Sequence, residues 1–270
     1  MSFQPLILGT GLSAWIGLQT GLERQWGLFA ARPDLARDAD RFQERIAGLT
    51  SPEALVADRT ALKVALGAYD LGQDIDSRFF IRRILEGGST DASALANRLQ
   101  DSRYKELARG FGQDRFDLGL TRNAAFVART IDKYTQVAFE QAVGEQDADL
   151  RLSLGFKRLM PEIAASTASN DAAWFKVMAN PPLRKVWETV FGLPQQFGQI
   201  DLDKQLEVFK TKAESGFGTD RIAELATGDT SEQIVRRFLL RSQVNAGAAL
   251  DSRQVALTLM SQIQVPDLLP

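Results

Sequence analysis

Apolar residues recur at helical rather than alternating spacing in nearly every long segment of this chain, and the pattern predicts an all-α, multi-helical fold. Trp15, Leu18, Leu22, Trp26 and Phe29 form one stripe, on a helix that ends before Pro33. Phe42, Ile46 and Leu49 continue the pattern in "DADRFQERIAGLT". Thr50 or Ser51 can cap "PEALVAD", with Pro52 in a first turn where its missing N–H costs nothing. "TALKVALGAYDLG" is the next helix, expected to close at Gly72.

Further along, Asp76 is placed to cap a helix carrying Phe80 and Ile84, with Ile75 as its staple and Gly87 and Gly88 at its end. Thr90 and Asp101 read as caps for "DASALANRLQ" and "SRYKELARGFG". Two longer helices follow, one around Phe126, Thr130, Tyr134 and Val137, the other around Leu152, Phe156, Leu159 and Ile163. Trp174 and Trp187 flank an "NPPL" break, and Asp229 with Glu232 has the spacing of a capping box for "SEQIVRRFLLRSQ".

One stretch returns. Val56, Ala57, Val64, Ala68, Tyr69 and Leu71 align without gaps on Met178, Ala179, Val186, Val190, Phe191 and Leu193, an offset of 122 (178 minus 56). The parallel reads either as a diverged duplication or as the chance agreement of two amphipathic helices. A soft boundary falls in "GEQDAD". It divides the chain into an N-terminal helical half, 1–145, and a C-terminal half, 146–270, unless helices crossing between them fuse the two into one body.

Composition narrows the chemistry. Hydrophobic residues at 44% and charged ones at 24% suit a soluble globular protein. A net charge of −2 gives no whole-protein attraction to nucleic acid or to an anionic membrane. The chain has no cysteine and no histidine, which removes thiol nucleophiles, thiolate metal sites and the usual general base near neutral pH. Carboxylate, lysine and magnesium chemistry survive. The N-terminal stretch has neither a basic leader nor about 20 consecutive apolar residues, so the expected location is the cytoplasm and no membrane insertion is expected. Specialised export without a cleaved signal is the alternative.

Short motifs add little chemistry. Gly9, Gly11 and Ala14 have dinucleotide-fingerprint spacing, but no strand precedes them, and they read as an arm leading into the Trp15 helix. Three Asp-x-Asp pairs, Asp74/Asp76, Asp147/Asp149 and Asp201/Asp203, fail the calcium-loop pattern. They read as caps at helix N-termini. Ser102 and Lys105 lack the companion motifs of acyl-transfer enzymes. Arg82/Arg83 and Arg236/Arg237 read as cationic stems at the edge of buried faces. No catalytic, cofactor-binding or metal-binding residue is assigned. The stripe Trp15, Leu18, Leu22, Trp26 and Phe29 is a candidate partner face on one condition, that its helix is not packed on its own chain.

"EALVADRTALKVALGAYDLGQDIDSRFFIRRILEGG", "ALANRLQDSRYKELARGFG", "LRLSLGFKRLMPEIA", "MANPPLRKVWETVFGLP" and "LDKQLEVFKTKAESGFG" resemble the bacterial family called domain of unknown function 1217. The resemblance implies an all-helical protein of alphaproteobacteria, often encoded among flagellar genes. It brings no activity, cofactor or site residues. "VADRTALKVALGAYDLG" is its most specific part; Asp58, Arg59, Asp74 and Asp76, in the first of these stretches, read equally well as caps and surface ion pairs. The expectation is a non-enzymatic helical protein that serves flagellar assembly or function by contacting other proteins, with no cofactor. The alternatives are a carboxylate–magnesium enzyme, or a small-ligand-binding module, with its site between the two halves.

Overall fold

The computed structural model describes residues 3–261, and the side chains of all of these except 195 and 248–261. Among the described residues there are fifteen α-helices and no strand. In chain order they are α1 Gly11–Ala30, α2 Pro33–Ile46, α3 Pro52–Ala57, α4 Arg59–Gly67, α5 Arg78–Gly87, α6 Leu95–Arg98, α7 Ser102–Phe111 and α8 Leu118–Thr121. The later ones are α9 Ala124–Gly144, α10 Ala148–Ser166, α11 Asn170–Met178, α12 Pro181–Phe191, α13 Leu202–Phe217, α14 Ile222–Leu225 and α15 Gly228–Ser261. Two 3₁₀ turns, Gly72–Asp74 and Gln195–Gln199, follow α4 and α12.

The expected boundary falls in the turn between α9 and α10, yet these two helices lie against each other along their length. α10 is central and also touches α1, α11, α12, α14 and α15, while α2 and α9 flank α4. One apolar cluster runs without a break from Ala14 on α1 to Leu239 on α15, so both halves build the same core. Trp15, Trp174 and Trp187 are wholly buried in it. Truncating any one to alanine would cost about 3–5 kcal/mol. The last nine residues of the C-terminal half, 262–270, lie outside the described residues.

The aromatic stripe of α1 packs into that core. Trp15, Leu18 and Phe29 are buried, and Leu22 and Trp26 are partly buried against it. The Trp15 indole N–H donates to Glu232 Oε1 of α15 at 2.9 Å, and Trp26 and Phe29 both make T-shaped ring contacts with Phe139. The condition for a partner face on this stripe is therefore not met. An aromatic stripe on a twenty-residue helix is the pattern of a core-facing helix when a long helix such as α15 lies beside it.

Several caps form as expected. Ser51 Oγ accepts from Ala54 N with Pro52 at the first helical position, and Asp101 accepts from Arg103 N. Asp147 and Asp201 cap α10 and α13, which accounts for two of the three Asp-x-Asp pairs. Others differ. Asp76 does not cap α5, whose N-cap is Ser77; its carboxylate instead pairs with Arg59 at 2.9 Å. Thr90 caps nothing, because the helix there shrinks to four residues after Ala94. The Asp229–Glu232 box does not form, since α15 already starts at Gly228 and Glu232 is engaged by Trp15 and Arg236. Leu49 lies beyond the end of α2.

The repeated stretch has the same local structure in both places. Each unit is helix, short junction, helix, 3₁₀ turn, helix: α3–α4–α5, with Asp58 alone at the junction, and α11–α12–α13, with Ala179 and Asn180 there. Asp58 caps α4 and Asn180 caps α12, at the same offset of 122 (180 minus 58). At the far end Leu71 N donates to Leu66 O and Leu193 N to Glu188 O. Asp70 N donates to Gly67 O, as Gly192 N does to Thr189 O. These paired bonds are the Schellman closure of a helix, which needs a left-handed residue at the turn. Gly192 supplies it with φ +63°, and Asp70 supplies it with φ +57°. The helix thus closes at Asp70 rather than at Gly72, which opens the 3₁₀ turn instead.

Candidate functional site

Asp70 is the only non-glycine residue with positive φ among the described residues. Such a conformation costs a β-carbon-bearing residue of order 1 kcal/mol, and asparagine and aspartate bear it best. Its side chain is fully engaged. Oδ1 accepts from Arg151 Nη2 at 2.7 Å and from Gln141 Nε2 at 3.0 Å. Arg103 Nη1 donates to the Asp70 carbonyl at 2.7 Å and stands 3.4 Å from Oδ2. The end of α4 is thereby tied to α7, α9 and α10 at once.

These contacts form one wall of a cavity of about 440 Å³ at the meeting of the two units. The end of α4 in the first unit (Ala68 to Asp70) faces the start of α12 in the second (Asn180 to Pro182), and α7, α9 and α10 close the sides. Ser102 N donates to Ala179 O at 2.8 Å and bridges α7 to the α11–α12 junction. One face of α10 makes the floor. Ala148, Leu152, Gly155, Leu159 and Ile163 recur at helical spacing, with Arg151, Arg158 and Glu162 beside them. Neighbouring helices bury the other faces of α10; this one looks into the cavity.

The polar groups of the cavity are organised as ion pairs. Arg158 holds Glu140 through two bonds, Nε to Oε1 at 2.6 Å and Nη2 to Oε2 at 2.9 Å, with both side chains largely buried. Burial alone would lower the Arg158 pKa, but the paired Glu140 carries it above the ordinary arginine value. Arg103 is likewise raised: desolvation works against it, and Asp101, bound through Nε and Nη2, outweighs the desolvation. Lys133 meets Glu162 at 2.8 Å. Tyr69 lies in the same wall, its phenol pushed well above the usual tyrosine range by burial and, after that, by Glu106 and Glu162.

Chemically, the arrangement favours donors. The acceptor oxygens of Asp70 and Glu140 face guanidinium groups that already use them. Arg151 spends one N–H on Asp70, and Arg158 spends two on Glu140, out of five on each guanidinium. Lys176 and Lys185 stand at the rim.

Sequence reasoning singled out none of Asp70, Gln141, Arg151 or Arg158. The one usable signal was the repeat, which sets Asp70 opposite Gly192 and so marks a position that asks for glycine. Ser102, weighed there as half of a Ser-x-x-Lys pair, does line the cavity, through its place after the Asp101 cap. The Asp-x-Asp pairs stay apart, and no group of three or more acidic residues that could hold a metal ion occurs among the described residues. Asp74 accepts from the Tyr104 hydroxyl at 2.9 Å. Asp58 caps α4 and meets Arg45 at 2.9 Å. The guanidinium groups of Arg82 and Arg237 lie over the rings of Phe79, itself exposed, and Phe217. No helix among the described residues is long and apolar enough to cross a membrane.

No curated protein matches the chain significantly. A crystal structure of a protein from Agrobacterium tumefaciens is similar to it, with a TM-score of 0.70, 24% identity, and coverage of 89% of this chain and 99% of that one. A likeness at that identity speaks for the fold. The model of the family described as "Protein of unknown function (DUF1217)" matches residues 68–234, a span that holds α5 to α14, the cavity's α10 floor and Asp70 itself. That span is more than half of the chain, and the protein belongs to the DUF1217 family.

Proposed function

We propose that this is a non-enzymatic binding protein that serves flagellar assembly or function through contacts with other proteins. The flagellar setting comes from the family's genetic neighbourhood. The structural support is a set of large apolar side chains left exposed on two neighbouring helices and the arm beside them. Ile16 and Leu28 stand out on α1, Leu240 (51% exposed) and Val244 (70% exposed) on α15, and Leu6 and Leu8 on the arm. Trp15 reaches Glu232 while Gly11 abuts Gln243, so α1 and α15 run antiparallel. The arm folds back along α1, where the Leu6 backbone is held on both sides by the Gln25 amide. Exposed apolar surface of this kind marks contact sites for partners.

The test is an in-frame deletion scored for swimming and for filaments, complemented with wild type or with Leu240→Glu/Val244→Glu. Both substituted positions are exposed, so folding should be unchanged, and the variant should fail to restore motility where wild type succeeds. Normal swimming and normal filaments in the deletion strain would end the flagellar reading. Full complementation by the variant would end the assignment to this surface.

A second reading, a small-ligand-binding module, is favoured by one observation. The cavity lies between the two units and is walled by a residue held in a strained conformation.

A further inference from the structure

We propose that the cavity between the two units binds a small organic anion, a carboxylate or phosphate carried on an apolar body. The proposal rests on the ligand-binding reading and names the chemistry of its ligand.

Three features support it. The first is Gly155, in the middle of α10 and facing the cavity. Glycine in a helix interior is about 1 kcal/mol worse than alanine. No described residue outside α10 requires it here: a β-carbon at this position would meet only Glu140 Oε2 among them, at 3.6 Å, an ordinary contact. The space kept open is on the cavity side, between Leu152 and Leu159, and an apolar body lying along that stripe would fill it.

The second feature is the surplus of donors. Asp70 and Glu140 are occupied by Arg151 and Arg158, which retain N–H groups, and Lys185 adds an ammonium at the mouth. Asp101 stands behind Arg103 and takes up its Nε and Nη2 donors, so Arg103 serves as a fixed strut rather than a binding group. Glu162 and Glu106, the other carboxylates of the lining, are paired with Lys133 and Lys176. A ligand anion would find partners here; a ligand cation would have to displace an arginine or a lysine from a carboxylate.

The third is Asp70 itself. A carboxylate in a left-handed turn, where the sister unit has glycine, places Arg151 at the cavity edge. Strain of this kind persists where surrounding contacts hold it and is concentrated at ligand sites.

The experiment uses the full chain and four probes of matched shape: benzoate, phenyl phosphate, benzylamine and benzyl alcohol, with inorganic phosphate as the head group alone. Binding is read by calorimetry and by the rise in melting temperature. One or both aromatic anions should bind, and the comparison of the two says which head group is preferred. Gly155→Leu, which fills the floor, should weaken binding about tenfold or more. Lys185→Glu should do the same; it lies on an exposed residue and keeps the test valid if the filled variant does not fold. Anion binding that neither variant alters would overturn the proposal, because the site would lie elsewhere. Binding of benzylamine or benzyl alcohol as tight as that of the anions, lost in Gly155→Leu, would overturn the anion assignment and leave the cavity reading standing. No binding of any probe at millimolar concentration would overturn both.

Discussion

Asp70 and Gly192 hold the same place in two copies of one motif. Both close a helix with the same pair of backbone bonds and both adopt a left-handed conformation. The residue before each differs in step: Tyr69 in the first copy, Phe191 in the second. The second copy solves a local problem, with the least costly residue for the turn and an apolar ring in the core. The first copy solves it at a cost and places a carboxylate and a phenol in the wall of a cavity. An arginine approaches both turns, Arg151 at Asp70 and Arg241 at Gly192, but only at Asp70 does it find a charge to bind. At this turn the first copy contributes polar contacts to the cavity, and the second is built for packing.

The largest expected effect comes from removing the charge from the first copy. Asp70→Ala deprives Arg151 and Gln141 of their acceptor, removes the longer contact with Arg103 and leaves alanine in a left-handed turn. A loss of about 3 kcal/mol is expected in denaturant unfolding. Asp70→Gly loses the same contacts but converts the turn to that of the second copy, so it should be about 1 kcal/mol more stable than the alanine variant. If the two variants are equally stable, the strain at Asp70 is not real. The reciprocal change, Gly192→Ala, should cost about 1–2 kcal/mol, with Arg241 forced aside.

The caps should show a smaller difference between the copies. Asp58→Ala removes an acceptor used by Thr60 N and Ala61 N, whereas Asn180→Ala removes one used by Leu183 N alone. Each change should cost about 1 kcal/mol, the aspartate more than the asparagine. Equal costs would mean that the second bond at Asp58, and its contact with Arg45, add nothing.

How much of this was legible in the sequence differs with the range of the interaction. The apolar spacing sufficed for the class and for the major helices, because a stripe such as Leu152, Phe156, Leu159 and Ile163 reports its own period. Local caps such as Ser51, Asp101 and Asp147 were legible for the same reason: cap and N–H are two or three residues apart. Asp76 and Glu232 were misread because partners far along the chain, Arg59 and Trp15, compete for those carboxylates. The cavity was not legible at all. Its defining pairs join residues 70 with 151 and 140 with 158, and no spacing rule foretells such contacts. The α1 stripe was legible as apolar, but whether it faced the core or a partner depended on α15, more than two hundred residues away.

The smallest expected effect belongs to the N-terminal half, and one of its groups, Tyr69, to the first copy. All three tyrosines, Tyr69, Tyr104 and Tyr134, lie in the N-terminal half, and each has a phenol pKa raised in the fold. Desolvation is the leading cause for each, and Tyr104, which also donates to Asp74, is pushed up to about 12. An unfolded phenol titrates near 10. Above that value the unfolded chain gives up phenolic protons that the folded chain keeps, so the unfolded state binds fewer protons and stability falls as pH rises. The contribution is complete below about pH 10 and, for Tyr104, is lost as pH climbs through about 12. Tyr104→Phe removes one of these phenols, and its melting temperature should fall less steeply than that of wild type across this window. Tyr69→Phe gives the first copy the ring of the second and should flatten the same slope. Parallel slopes in wild type and both variants would show that the alkaline loss arises elsewhere, and that at this position the two copies differ in shape but not in proton binding.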